Sequence, residues 1–260
     1  MKYETLHLEF EDRIAVVTLN RPDKRNAITP QMIRDLMAAF DEIEQSKAGV
    51  AILTGLGKAF CAGMDLAALK DFPSQSPAQI VEDARRIAAL FRRVYTFPKP
   101  LIAAVNGAAI AGGCGLATFA DFTLAVPEAK FGYTEVRIGF MPAIVAAFVV
   151  REIGEKKARD LLLTGRIFDS PEAQALGLVN EMVPADRLMG RARELAASLL
   201  ELSPTSLAFT KRLLVKFELA EIDRELEMAV EESSRIRATA DFREGLAAFL
   251  EKRKPVWPNE

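Results

Sequence analysis

Apolar positions along the chain change their period twice, and the changes divide it into regions. β-Forming residues alternate or cluster over Thr5–Phe10 and Ile14–Leu19 on either side of Glu11-Asp12-Arg13, which predicts a hairpin. A polar turn, Asn20–Ala27, follows and carries Arg21, Lys24 and Arg25. Thr29 is then placed to cap a helix with Pro30 at its first position, and Ile33, Leu36, Met37 and Phe40 form its buried stripe. Val50–Thr54 reads as a short buried strand, Gly55–Asp65 as a glycine-punctuated loop, and Asp65 as the cap of a short helix beginning at Leu66. After a loop at Phe72–Pro77, Ile80, Ala84, Ile87, Phe91 and Val94 mark one face of a long helix that Pro98 and Pro100 end. Leu101–Val105 is the next buried strand. Helices are predicted at Ala143–Arg151 and Glu155–Thr164, and another opens at Ser170-Pro171 with the serine as cap; Val179–Val183 is a final short strand. Apolar strands that do not alternate, separated by helices, argue for parallel pairing and an α/β class.

From Pro184 onward strands disappear. Leu188–Leu202, Pro204–Phe217, Ile222–Ile236 and Phe242–Leu250 all repeat apolar residues at helical spacing. The chain therefore divides into an α/β core over residues 1–185 and a helical region over 186–260. The stripes Ile222, Leu226, Ala229, Ser233 and Phe242, Leu246, Phe249 need a cover, either the chain's own core or a neighbouring subunit.

Composition narrows the chemistry. The 260 residues are 50% hydrophobic and 27% charged with a net charge of −2, which gives no reason to expect a polyanion or a membrane surface as partner. The longest apolar runs, such as Pro142–Val150, fall well short of the ~20 residues of a membrane span, and the N-terminus enters a strand pattern with no signal-peptide core. A cytoplasmic location is expected. Cys61 and Cys114 lie in no metal-ligand spacing, which argues against a disulfide scaffold or a structural zinc. They read as small packing residues. His7, the one histidine, sits on the alternate face of a terminal strand and reads as a surface residue. Without it, Ser-His-Asp and Cys-His catalysis and histidine metal sites are unsupported, leaving carboxylates, Lys, Tyr or backbone groups.

Chemistry concentrates in Ala103–Glu135. In Gly112-Gly113-Cys114-Gly115-Leu116 a helix starts with unpartnered N–H groups that glycine leaves open, and Gly63-Met64-Asp65 is a second such turn. Two N–H groups converging on one oxygen make an oxyanion hole; tight packing of helix on sheet would use the same glycines. Neither loop matches a phosphate-binding pattern. Glu135 follows a strand among apolar residues, where desolvation would raise its pKa as a general acid or base requires, or where it would pair with a helix start. Arg85, Arg86, Arg92 and Arg93 share a helix face that could serve a nucleic acid, but Glu82 and Asp83 lie beside them and no aromatic platform is interleaved. A solvated face is the expectation, with no nucleic-acid partner.

Six ordered blocks carry a resemblance. NRPDKRNA at 20–27, LTGLGKAFCAGMDL at 53–66, KPLIAAVNGAAIAGGCGLA at 99–117, ADFTLAVPEAKFGYTEVRIGF at 120–140, LLLTGRIFDSPEAQALGLVNEMVP at 161–184 and EGLAAFLEKRKPVW at 244–257 are similar, in that order, to the enoyl-CoA hydratase/isomerase (crotonase) superfamily. The resemblance spans essentially the whole chain. It implies a crotonase-like spiral of ββα units with two roughly perpendicular sheets, and a C-terminal helical trimerisation region. It further implies a homotrimer, often paired as a hexamer, with the tail helices reaching toward the neighbour. The substrate would be an acyl-CoA thioester, with no separate cofactor and no metal. Met64 and Gly112 fall on the family's oxyanion N–H donors, and Glu135 on a catalytic glutamate. Lys24, Arg25, Ala27, Ala62, Asp65, Leu66, Gly112 and Gly115 fall on the substrate- and CoA-binding positions, with Lys24 and Arg25 on its phosphates.

One departure bears on the reaction. Typical hydratases of the family carry a second glutamate directly after Gly-Gly-Cys, where this chain has Gly115. Hydration of a 2-enoyl-CoA through a thioester enolate is the leading expectation. The glycine also fits 3-methylglutaconyl-CoA hydratases, a one-glutamate enoyl-CoA isomerase, or a branched or carboxylated acyl group using the space Gly115 opens. Members that use an aspartate nucleophile with a histidine fit poorly, because His7 is outside every motif.

Overall fold

The computed structural model describes residues 3–66 and 76–258. The expected helix after Leu66 and most of the Phe72–Pro77 loop lie outside the described residues. The N-terminal hairpin forms as expected: β1 (Leu6–Glu11) and β2 (Ile14–Leu19) pair antiparallel, and Asp12 and Arg13 take the positive φ of a tight turn. α1 (Pro30–Gln45) begins at Thr29, whose hydroxyl accepts the N–H of Met32 at 3.1 Å. Three strand–strand–helix units then repeat. β3 (Val50–Gly55) and β4 (Ala59–Cys61) lead to α2 (Pro77–Thr96), β5 (Leu101–Val105) and β6 (Ala108–Ile110) to α3 (Gly112–Thr118), and β7 (Phe122–Ala125) and β8 (Lys130–Gly132) to α4 (Ala143–Ile153). In each unit the first strand enters one sheet and the second strand another.

β3 pairs in parallel with β5 and β5 with β7, while β4 pairs in parallel with β6 and β6 with β8. Each unit thus advances both sheets by one strand, which is a spiral. The larger sheet runs β1-β2-β3-β5-β7-β10, closed by β10 (Glu181–Met182), and the smaller β4-β6-β8-β9, closed by the antiparallel β9 (Phe168–Asp169). Every residue of β5 is fully buried, as a strand covered on both faces must be.

Four expectations need correction. The segment read as a glycine loop contains β4, whose three residues are too few to show a period. The final strand covers two residues rather than Val179–Val183. α6 (Ser170–Leu176) is capped by Asp169, whose carboxylate accepts the N–H of Glu172 at 3.1 Å, so Ser170 is its first residue and not its cap. The two helices read at Pro204–Phe217 and Ile222–Ile236 are one, α8 (Pro204–Ile236), of 33 residues. α5 (Glu155–Thr164), α7 (Leu188–Leu200) and α9 (Ala240–Glu251) complete the set among the described residues. No described helix is long and apolar enough to cross a membrane.

The chain's own core covers the stripe of α8: Ile222, Leu226, Ala229 and Ser233 are all buried. α9 is set apart from the main core. Phe242 and Leu246 form a satellite cluster with Leu66, Ile80, Phe140 and Leu250. The four arginines of α2 are not a free basic face. Arg92 makes a double contact with Asp223 of α8 at 2.6 and 3.0 Å, Arg93 reaches Asp41 and Glu44 of α1, Arg86 pairs with Glu82 and Asp83, and Arg85 lies 3.9 Å from Glu227. Arg92 and Arg93 fasten α2 to α8 and α1, whereas Arg85 and Arg86 are exposed, as expected of a solvated face.

Candidate active site

β6 ends at Ile110, and Ala111 turns the chain into α3 with φ 51° and ψ −125°. An alanine rarely adopts that conformation, which costs on the order of 1–3 kcal/mol. The turn is held because the N–H of Ala111 donates to the carbonyl of Gly132 at 2.6 Å. Among the described hydrogen bonds the next N–H, that of Gly112, has no acceptor. The other loop is fixed by a parallel bridge between Ile28 and Met64. The N–H of Ile28 donates to Gly63 at 2.7 Å and that of Asp65 to Ile28 at 2.9 Å. The N–H of Met64 faces away from this bridge and likewise has no described acceptor.

The two loops touch. Gly63 has φ 82°, and a Cβ there would lie 2.8 Å from the carbonyl oxygen of Ile110 and 3.4 Å from the nitrogen of Gly112. Glycine is the residue that allows this approach. Met64 and Gly112 line one cavity of about 490 Å³, the size of a small-ligand site.

Glu135 opens a short 3-10 helix (Glu135–Ile138) directly after β8 and lines the same cavity. Its Oε2 is buried and has no hydrogen-bond partner. Burial raises its pKa from 4.5 to about 7, partly offset by its own backbone N–H. α9 holds this segment from outside: a Cβ at Gly245 would lie 2.2 Å from the carbonyl oxygen of Ile138, so α9 and the turn that carries Glu135 meet backbone to backbone.

Lys24, Arg25, Ala27, Ala62, Asp65 and Leu66 line the cavity too. Lys24 and Arg25 are exposed at its rim. Asn26 anchors their loop: it accepts the N–H of Arg21 at 2.8 Å and donates to the carbonyls of Leu56 and Ala59 at 3.0 and 2.9 Å. The carboxylate of Asp65 contacts Arg21 at 2.9 Å, and Arg21 also donates to Ala27 O, which fixes the wall.

Gly115 is corrected. It does not line the cavity, and a Cβ there would meet Phe119 at 2.9 Å, Phe91 at 3.1 Å and Val145 at 3.2 Å. The space expected at the missing second glutamate is filled by aromatic and branched side chains. Cys61 and Cys114 are fully buried, and burial pushes both thiols up to about 12, so they are packed groups and not nucleophiles. His7 is exposed, as expected. Pattern reading missed the part of the lining formed by Phe140, Ser233, Arg237, Phe242, Phe249 and Leu250. Ser233 in the apolar stripe of α8 was the one visible signal.

These features together define a cavity holding two N–H groups with no described acceptor and a buried glutamate carboxylate, on a two-sheet spiral. Residues 9–260 match the family model described as enoyl-CoA hydratase/isomerase, and the chain belongs to that family. Its fold is the crotonase fold: an enoyl-CoA hydratase/isomerase from Xanthobacter autotrophicus superposes with a TM-score of 0.90 at 30% identity, covering 99% of this chain and 100% of the other. Among sequence relatives, a Thermus thermophilus protein named "Putative enoyl-CoA hydratase" is 44% identical over 93% of this chain and 96% of its own length. The crotonyl-CoA hydratase of Syntrophomonas wolfei is 34% identical over 98% of both chains.

Proposed function

We propose that the protein hydrates 2-enoyl-CoA thioesters, with Glu135 as acid and base and the N–H groups of Met64 and Gly112 as the oxyanion hole. The observation that carries this reading is the buried Glu135 carboxylate, whose Oε2 has no hydrogen-bond partner, in a cavity shared with those two N–H groups. Water adds its oxygen to C3 as Glu135 takes a proton from it. The electron pair moves through C2 to the thioester oxygen, where each donor contributes on the order of 3–4 kcal/mol. Glu135 then returns the proton to C2, so one water is consumed and nothing is oxidised. Lys24 and Arg25, at the exposed rim, take the phosphates of coenzyme A, and Ala27, Ala62, Asp65 and Leu66 the neighbouring part of it. No cofactor beyond the substrate is needed.

The single carboxylate also suits proton shuttling between C2 and C4, the isomerase reaction. Incubation of crotonyl-CoA and a 3-enoyl-CoA with the enzyme, read by mass spectrometry, separates them: hydration adds one water, isomerisation leaves the mass unchanged. Failure of crotonyl-CoA to gain water would count against the hydratase reading. A cytoplasmic homotrimer or dimer of trimers built on residues 186–260, working in fatty-acid β-oxidation, belongs to the same proposal.

A further inference from the structure

Thr96, Thr118, Thr164 and Ser234 sit in helices, and each turns its hydroxyl back to donate to the carbonyl four residues earlier, at 2.8, 3.0, 2.6 and 2.7 Å. Ser233 departs from them. It belongs to the buried stripe of α8 and is 1% exposed, yet its hydroxyl has no partner on Ala229 or on any other described residue. A buried hydroxyl left without a partner costs free energy that an apolar residue of similar size would not. Ser233 also lines the cavity that Met64, Gly112 and Glu135 share. Most of what the helices add to that lining is apolar, with Ile87, Phe91, Ile144, Val145, Phe242 and Phe249 among it. Arg237, one turn beyond Ser233, is engaged by the protein itself. It donates to the carbonyl of Ile80 at 3.4 Å, lies 5.3 Å from the centroid of the Phe140 ring and has its charge favoured by Asp83. Ser233 thus offers the cavity one neutral hydroxyl, donor and acceptor at once.

We infer that Ser233 is a specificity-determining residue whose hydroxyl hydrogen-bonds a neutral oxygen, a hydroxyl or oxo group, carried by the acyl chain of the bound CoA thioester. A plain hydrocarbon chain leaves the serine without a partner, whereas an oxygenated chain satisfies its own oxygen and the serine together. A charged acyl group fits less well, because one neutral hydroxyl does not offset the desolvation of a full charge.

The inference rests on the acyl-CoA part of the proposed function and not on the hydration step, so binding tests it. Saturated acyl-CoA thioesters of one chain length, plain or carrying a hydroxyl or oxo group at successive carbons beyond C4, are titrated into the full-length protein by calorimetry. With the oxygen at the matching carbon, the ligand should bind roughly three- to tenfold more tightly than the plain chain, the range one neutral hydrogen bond supplies. In Ser233→Ala the preference should reverse, since the ligand's oxygen then leaves water without gaining a partner. The same variant, free of ligand, should melt no lower than wild type, because the hydroxyl it loses has no partner in the fold. Equal binding at every position, or a preference that survives Ser233→Ala, would overturn the inference and leave the hydratase reading standing. A lower melting temperature or a failure to fold would assign the hydroxyl to the protein's own stability and overturn it as well. A binding preference that behaves as expected, in a protein that adds no water to crotonyl-CoA, would support the inference and count against hydration alone.

Discussion

A carboxylate shut away from water with one oxygen left unpartnered keeps its proton to higher pH than one at a surface. Glu135 is in that position, and its pKa of about 7 makes two outcomes measurable. As a base it must be ionised, so kcat/KM for hydration should fall on the acid side of about pH 7 and level off above it, read from a pH–rate profile. Glu135→Gln should lower turnover by roughly 10²–10⁴-fold. The same substitution acts on stability with a definite sign. Between pH 4.5 and about 7 the folded protein holds a proton that the unfolded chain has released, so wild-type stability is lost as pH rises through that window. Glutamine carries no charge, and Glu135→Gln should melt higher than wild type at pH 8, by about 1–3 kcal/mol, with the gain vanishing near pH 4. Glu135 was legible because its apolar sequence neighbours are also its spatial ones. Gly115 was not, because two of the side chains that fill its surroundings, Phe91 of α2 and Val145 of α4, are distant from it in sequence. Gly115→Glu should therefore fail to add a second carboxylate to the site and should lower the melting temperature, since overpacking a filled core costs about 1–3 kcal/mol.

Elements were readable where a cap or a long stripe marked them. Thr29-Pro30 started α1 where expected, and Ile80 to Val94 gave the face of α2, which opens with a Ser76–Gln79 capping box. Apolar periodicity does not reveal the smaller sheet, since β4, β6 and β8 have three residues each; the resemblance implied a second sheet, and of its strands only the one before Glu135 was read from the residues. α8 was split at residues 218–221 because its two halves serve different faces, and the stripe shifts although the backbone does not break. α9 shows what an element can do for a residue it does not contain. It meets the turn that carries Glu135 through Gly245, where a Cβ would lie 2.2 Å from Ile138 O. Gly245→Ala should displace α9, cutting kcat more than tenfold while the far-UV circular dichroism stays that of the wild type. Glu135 would stand unchanged in such a variant but no longer aligned, and a displacement of about 1 Å can cost 10²-fold.

At the scale of the whole molecule, the first half of α8 carries an exposed apolar face. Phe209, Leu213 and Phe217 recur every four residues and are 58%, 53% and 68% exposed, with Leu214 beside them. If this face joins subunits, Leu213→Asp with Phe217→Asp should shift the protein from trimer to monomer in sedimentation velocity. Composition allowed such a face without locating it, because an apolar stripe reads alike whether the chain or a neighbour covers it. The division of labour within the cavity has a consequence of another kind. The reacting groups hang on the spiral, while Ser233, Arg237, Phe242, Phe249 and Leu250 come from the last two helices. Those helices form a contiguous, exchangeable cassette. A single crossover upstream of α8 would replace that wall in one recombination event, provided the incoming helix kept a glycine against Ile138 O so that Glu135 stayed aligned.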